Sequence, residues 1–306
     1  MDDHIEILSV DLLEHQADLV RTFREKAQIL GIQLGWHYVL DLSWVAYELG
    51  EPRGKRILDA GAGAGVLQWW LADQGAEIVS VDRANRADLS CRFRLRYRVE
   101  GLRPSDLLPT WKLVSTRLKD RSKSLRVRIA GATRAALTIF LEPITPKAPG
   151  RVSIYQQDLK YMPDLLDEGF DAVVSISALE HNQLRELGVV VDEQLRVLKS
   201  GGVLLATLAA SSDRDWFHEP SKGWCFSEES LREAFRLPEC VWSNYSEFDA
   251  LFTRLRNCAD LRQNLAPMFY QSGNNGMPWG VWDPKYQPVG IRKMKPFEDG
   301  KGLEGK

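Results

Sequence analysis

The chain has 306 residues, of which 44 % are hydrophobic and 27 % charged, with a formal net charge of −2. This is the make-up of an ordinary globular protein with material for one large domain or two modest ones. It contains no run of eighteen uncharged apolar residues, and its four cysteines, Cys91, Cys225, Cys240 and Cys258, form no close pair. A spanning helix, a zinc-ligand spacing and a disulfide framework are therefore not expected, and the thiols should be free and mostly buried.

The opening MDDHIEILSVDLLEHQADL is acidic and has no basic segment ahead of an apolar run, so a cytoplasmic protein is expected. In HYVLDLSWVAYELGEP, Leu42, Val45, Ala46 and Leu49 recur at three- and four-residue intervals before Gly50 and Pro52. That spacing predicts a helix with a stop signal. KRILDAGAGAG, Lys55 to Gly65, reads as a short strand ending in an acid and a glycine-rich turn. Leu67, Trp70 and Leu71 mark a helix closed by Gly75, and EIVSVD is a second strand ending at Asp82.

Between Arg86 and Arg151 there are sixteen Lys and Arg against five Asp and Glu, a local +11 inside a nearly neutral chain. In CRFRLRYRVEGLR the residues Arg92, Arg94, Arg96 and Arg98 alternate with Phe93, Leu95, Tyr97 and Val99. Period-two alternation predicts a strand or hairpin with one basic and one apolar face, paired with SLRVRI. Leu107, Trp111, Val114 and Leu118 predict a helix between them. The basic face has several readings: a solvated surface, a site for a phosphate-bearing sugar or lipid carrier, an RNA surface, and a contact with a membrane or a protein.

The earlier alternation resumes with RVSIYQQD, a third strand reaching Asp158, and FDAVVSIS, a fourth. A helix carries Leu195 and Leu198 up to KSGG, and GVLLATLAA is a fifth strand. Ser227 followed by Glu228 and Glu229 is a helix cap and first turn. Phe248, Leu251, Leu255, Cys258, Leu261 and Leu265 predict a further helix, ahead of the loop QSGNNGMPWGVWDPKY and a last strand QPVGIRKMK. Strand, turn and helix in alternation predict an α/β, doubly wound, mostly parallel sheet.

The glycines at 61, 63 and 65 let backbone approach a ligand where a side chain would collide. Asp59 stands just before them, Asp82 ends the next strand and Asp158 the third. A dinucleotide fingerprint would want a glycine where Val66 stands, and an acid ahead of the turn would repel a pyrophosphate. The same acid attracts a ligand bearing an ammonium and a sulfonium, which favours S-adenosylmethionine.

ILDAGAGAG, Asp82, QQD, FDAVVSISALEH and RVLKSGGVLL occur in the order found in class I S-adenosylmethionine-dependent methyltransferases. The chain most resembles their type 11 branch, which includes the ubiquinone and menaquinone biosynthesis methyltransferases. The resemblance covers about 55–82 and 151–209. It implies a seven-stranded Rossmann-like sheet with an antiparallel last strand. It also implies that Asp59, Gly61, Ala62, Gly63 and Gly65 hold the methionine moiety, Asp82 the ribose with Arg83 beside the adenine, and Asp158 and Leu159 the base. Ser175 to Ala178, Ser177 among them, would line the floor beneath the sulfonium, with Tyr38 as a pocket wall. The expected organisation is an N-terminal helical segment, 1–54, covering the cofactor site, and a methyltransferase domain, 55–298, with a flexible tail, 299–306. The domain carries a basic insertion at 86–150 and an acceptor-side insertion at 247–286.

Methyl transfer to a hydroxyl profits from a general base. His181, with Glu180 beside it, is the first candidate; a helix-start or cofactor-contact role is the other reading of the pair. His37 is the second, with a hydrogen-bonded core histidine as its alternative. His218 and Trp216, with Asn274, Asn275 and Trp279, suit a sugar ring or another flat acceptor, or else anchor a long loop. His4 and His15 are expected at the surface, and no histidine pair has metal-ligand spacing. The activity expected is methyl transfer to a small-molecule or glycan acceptor at oxygen. RNA methylation through the basic insertion and a noncatalytic S-adenosylmethionine-binding role are the alternatives.

Overall fold

The computed structural model describes residues 2–263 and 282–297. The chain falls into two compact units, one of Pro52–Asp158 and one of Met1–Glu51 with Leu159–Lys306. In chain order it begins with β1 (His4–Ile7), α1 (Leu12–His15), α2 (Ala17–Leu30) and α3 (Tyr38–Leu49). The smaller unit then contributes β2 (Arg56–Ala60), α4 (Leu67–Asp73), β3 (Glu77–Asp82), α5 (Cys91–Arg96), β4 (Arg98–Gly101), α6 (Thr110–Lys119), α7 (Leu125–Leu141) and β5 (Arg151–Gln156). The chain returns to the larger unit with β6 (Phe170–Ile176), α8 (Leu187–Val197), β7 (Leu198–Ala210), β8 (Trp216–His218), β9 (Gly223–Phe226) and α9 (Glu228–Phe235). It ends with β10 (Trp242–Ser243), α10 (Phe248–Arg256), α11 (Ala259–Gln263) and β11 (Gln287–Met294).

The architecture is α/β, as the alternation predicts. In the smaller unit β2, β3 and β5 are parallel neighbours, and β4 adds to β5 in the same direction. In the larger unit β6 runs parallel to β7, while β11 is antiparallel to both β7 and β1. The last strand is therefore antiparallel, as the resemblance implies. The short strands β1, β8, β9 and β10 stand outside the sequence reading, and β4 is the end of the segment read as a strand along the arginine row. Strands β6 and β7 are apolar on both faces because α3 packs against β6, β7 and β11 while α8 packs against β7.

Leu198 does not end a helix but begins β7, and the chain turns within that strand at Gly201, whose φ is +75°. Ser227 does cap α9, its hydroxyl accepting from the Ser230 N–H at 3.4 Å. The single helix expected across 248–265 is two, α10 and α11, and Leu265 lies outside the described residues. So does the whole of the expected tail at 299–306. His15 is exposed, but His4 is half-buried, its ring 5.9 Å from that of Trp44 and 6.0 Å from that of Trp242. All four cysteines are free, with Cys91 and Cys225 buried.

The arginine row overturns the strand expectation. Residues 91–96 form the helix α5, and only from Arg98 does the chain extend into β4. SLRVRI opens α7, which packs against α6 and α5. Phe93 and Tyr97 lie one turn apart on the helix face that meets Trp69, with ring centroids at 4.5 and 4.8 Å. Arg94 is buried beside them and donates to the carbonyls of Leu89 at 3.0 Å and Ala87 at 3.3 Å. Burial against Trp69 at i and i+4 settles the helix; alternation of charge does not oppose it once one arginine is needed inside. The predicted helix at 107–118 is present as α6, but its buried residue is Leu113, with Trp111 and Leu118 exposed.

Candidate active site

In the smaller unit the turn after β2 is tied to the end of β3. The N–H groups of Gly61 and Ala62 both donate to the Val81 carbonyl, at 2.9 and 3.0 Å. Gly61 and Gly63 take φ of +80° and +47°, which L side chains adopt at a cost. A Cβ on Gly65 would stand 2.9 Å from the Ala62 carbonyl oxygen. The Gly63 N–H donates to Asp82 Oδ2 and the Ala84 N–H to Asp82 Oδ1, each at 2.7 Å. Each carboxylate oxygen can accept more than one bond, so Asp82 keeps capacity for a ligand's hydroxyls.

Asp59 is buried at the foot of this turn. Burial pushes its carboxyl up to about 7, with Arg86 pulling down and Asp82 adding to the rise. Arg86 was missed by the sequence reading. Its guanidinium donates to Gly63 O at 3.2 Å, Ser80 Oγ at 2.7 Å and Ser80 O at 2.6 Å, so it clamps turn to strand. Gln68 completes the clamp, accepting from Ser80 Oγ at 2.7 Å. Arg83 is exposed, and its carbonyl accepts from the Gln156 side chain at 3.2 Å. The Gln157 N–H donates to the Asp82 carbonyl at 3.0 Å, which brings Asp158 to the same strand ends.

The larger unit brings His37, Tyr38, Ser177, Glu180 and His181 together around a cavity of about 150 Å³. Leu159 and Ser175 are buried, Ser175 within β6. Ser177 follows that strand at φ +46°, a conformation rare for a residue with a side chain. Its N–H donates to Thr207 O at 2.9 Å and its hydroxyl to Glu180 Oε1 at 2.5 Å. The other oxygen, Oε2, is buried with no partner. Burial pushes the Glu180 carboxyl up; His181, the Ser177 hydrogen bond and His37 act the other way. Gly223 allows this approach, since a Cβ there would lie 3.0 Å from Glu180 Cγ.

His37 is buried, and its Nδ1 stands 2.5 Å from Asp41 Oδ2. A carboxylate only accepts, so Nδ1 carries the proton and Nε2 faces the Tyr286 hydroxyl at 3.4 Å. Tyr38 hydrogen-bonds Ser177, and burial, with the charges of Glu180 and Asp41, pushes its phenol up to about 12. Burial raises the Tyr286 phenol as well. The Trp36 indole N–H, beside the same cavity, is buried without a partner. His181 sits on the exposed side with Nδ1 at 3.0 Å from the Lys222 carbonyl.

His218 does not line this cavity but packs against Tyr286, ring to ring at 5.3 Å, with Nδ1 at 2.7 Å from Ser221 Oγ. Burial lowers its pKa. Trp216 is half-buried beside it, with ring centroids 5.5 Å apart. Asn274, Asn275 and Trp279 lie outside the described residues. Asp41 and Tyr286 were not singled out from sequence. Asp41 was findable, because His37 and Asp41 stand four apart in a predicted helix, whereas nothing in the sequence joins Tyr286 to them. No cluster of metal-ligating side chains occurs among the described residues.

Residues 132–206 match a family model described as a methyltransferase domain. The match begins within α7 and runs into β7, and the glycine turn lies outside it. A tRNA U34 carboxymethyltransferase of Psychrobacter arcticus is 38 % identical over 71 residues, 22 % of this chain and 18 % of that protein. A ubiquinone biosynthesis O-methyltransferase of Leptothrix cholodnii is 35 % identical over 48 residues, 16 % of this chain and 20 % of that protein. The chain spans no more than 20 % of the length of the curated relatives it matches. Among solved structures, the Burkholderia thailandensis 1,6-didemethyltoxoflavin-N1-methyltransferase aligns over 92 % of this chain and 87 % of its own, at 13 % identity and a TM-score of 0.42. The family match bears out the resemblance read from the motifs.

Proposed function

We propose that this chain is a cytoplasmic S-adenosylmethionine-dependent methyltransferase acting on a small-molecule or glycan-type acceptor, at oxygen. The observation that carries the donor assignment is the glycine turn, flanked by Asp82 and by a buried Asp59. Two carboxylates against the one clamping cation, Arg86, suit a ligand that brings positive charge of its own. When bound, S-adenosylmethionine supplies a methyl group on a positively charged sulfur, which an attacking oxygen takes by in-line displacement.

The remaining work belongs to the chain's own side chains. Asp82 accepts hydroxyl protons while the Gly63 N–H holds it in place. In the larger unit, His37 receives the acceptor's proton on Nε2, and Asp41 holds Nδ1–H and stabilises the imidazolium. Of the two histidines at the cavity this pairing favours His37 over His181, whose Nδ1 faces only a carbonyl. Glu180, held by Ser177, stays available as a hydrogen-bonding partner for the acceptor through its unpaired oxygen.

The test is incubation of the purified chain with methyl-labelled S-adenosylmethionine and a fractionated cell extract. Label in a sugar or small-molecule fraction, stable to conditions that hydrolyse esters, supports the reading. Label in RNA, or binding of the donor with no transfer to any fraction, overturns it.

A further inference from the structure

Helix α7 presents large apolar side chains on the wrong side. Its buried residues are the small ones, Ala132, Ala135 and Thr138. Ala135 packs with Cys91 and Leu113 in the core of the insertion. Leu125, Ile129, Leu137 and Phe140, with Ile144 just past the helix end, are between 51 % and 75 % exposed. Their spacing of four, eight, three and four residues places them on one face, a stripe along the whole 17-residue helix. An ordinary surface helix turns that face to the core, and an exposed apolar stripe of this length marks a binding surface.

Its charge setting says what covers it. From Lys112 to Arg134 there are eight Lys and Arg and a single acid, Asp120. That acid is paired with Lys123 at 3.1 Å. Arg126 lies within the arc of the stripe near its N-terminal end and Arg134 at its edge, and both are exposed. We propose that the outer face of α7 is an interfacial element that seats this insertion on an anionic lipid surface. Aliphatic and aromatic side chains enter the boundary between headgroups and acyl chains, and the surrounding cations meet lipid phosphates. Nucleic acid offers nothing to a row of Leu and Ile side chains, and an acidic protein surface would leave the apolar stripe without a matching partner. No helix among the described residues is long and apolar enough to cross a membrane, so the contact is superficial.

The experiment is co-sedimentation of the full chain with phosphatidylcholine vesicles, with and without about a third phosphatidylserine. The expected result is binding at least about tenfold tighter to the anionic vesicles, weakening with salt. Leu137→Glu with Phe140→Glu should abolish binding to both, and Arg126→Glu with Arg134→Glu should remove the anionic preference. All four positions are exposed, and unchanged circular dichroism confirms that the variants fold. Three results overturn the proposal. One is no binding to either vesicle. Another is self-association in light scattering that the Leu137 and Phe140 variant relieves. The third is binding of single-stranded RNA that this variant leaves intact.

Discussion

His37 and Asp41 lie one turn apart on the first part of α3, both buried, with Nδ1 and Oδ2 2.5 Å apart. Because a carboxylate has no proton to give, this contact fixes the imidazole tautomer and leaves Nε2 as the basic nitrogen. Asp41→Asn should keep the fold and lower methyl transfer by roughly 10²-fold or more, the scale of general-base assistance, without changing donor affinity. A downfield proton signal from Nδ1–H, seen in the wild type and lost in the variant, distinguishes this role from simple packing. His181→Ala should cost less activity than His37→Asn; the reverse order would move the base to His181.

Asp59 is held up to about 7 against an ordinary value of 3.8, so the folded chain keeps a proton that the unfolded chain releases. Stability contributed by this group is therefore greatest below about pH 4 and falls as pH rises towards 7, by about 4 kcal/mol in all. Asp59→Asn should raise the melting temperature at pH 8 and have little effect at pH 4. It should also weaken S-adenosylmethionine binding by about tenfold or more. In the wild type that affinity should rise with pH through about 7, and calorimetry should find it flat in the variant.

Arg86 joins the glycine turn to β3 through Gly63 and Ser80. Arg86→Met removes these bonds and leaves the Ser80 hydroxyl with only Gln68. A loss of roughly 2–3 kcal/mol in folding stability is expected, from charged hydrogen bonds lost and carbonyls left unpaired. Denaturant titration measures it. Donor affinity should fall in the same variant, because the turn that positions Gly63 N–H is no longer braced.

Gly223 leaves just enough room for Glu180. Gly223→Ala should press on Glu180 Cγ and disturb the bond from Ser177. Folding should change by about 1 kcal/mol, on the scale of mild overpacking. Transfer to the acceptor should fall further than that stability loss accounts for, and a parallel loss of donor binding would argue against the acceptor-side role of this cavity.

The strands and the glycine turn were legible because their causes are local. Ile57 and Leu58 ahead of an acid and a flexible turn, or Val173 and Val174 buried on both faces, leave the backbone one way to satisfy itself. The capping of α9 by Ser227 and the reach of β11 follow from residues adjacent in the chain for the same reason. What the tertiary structure alone decided is wherever a residue's environment comes from far away. Phe93 and Arg94 are helical because Trp69 and the Thr110 hydroxyl wait for them, which no alternation rule can register. Tyr286 meets His37 across 249 residues of chain. Helix α7 opens on SLRVRI, whose alternation reads from sequence as a strand, and which of its faces the core takes is set by α5 and α6 packing against it.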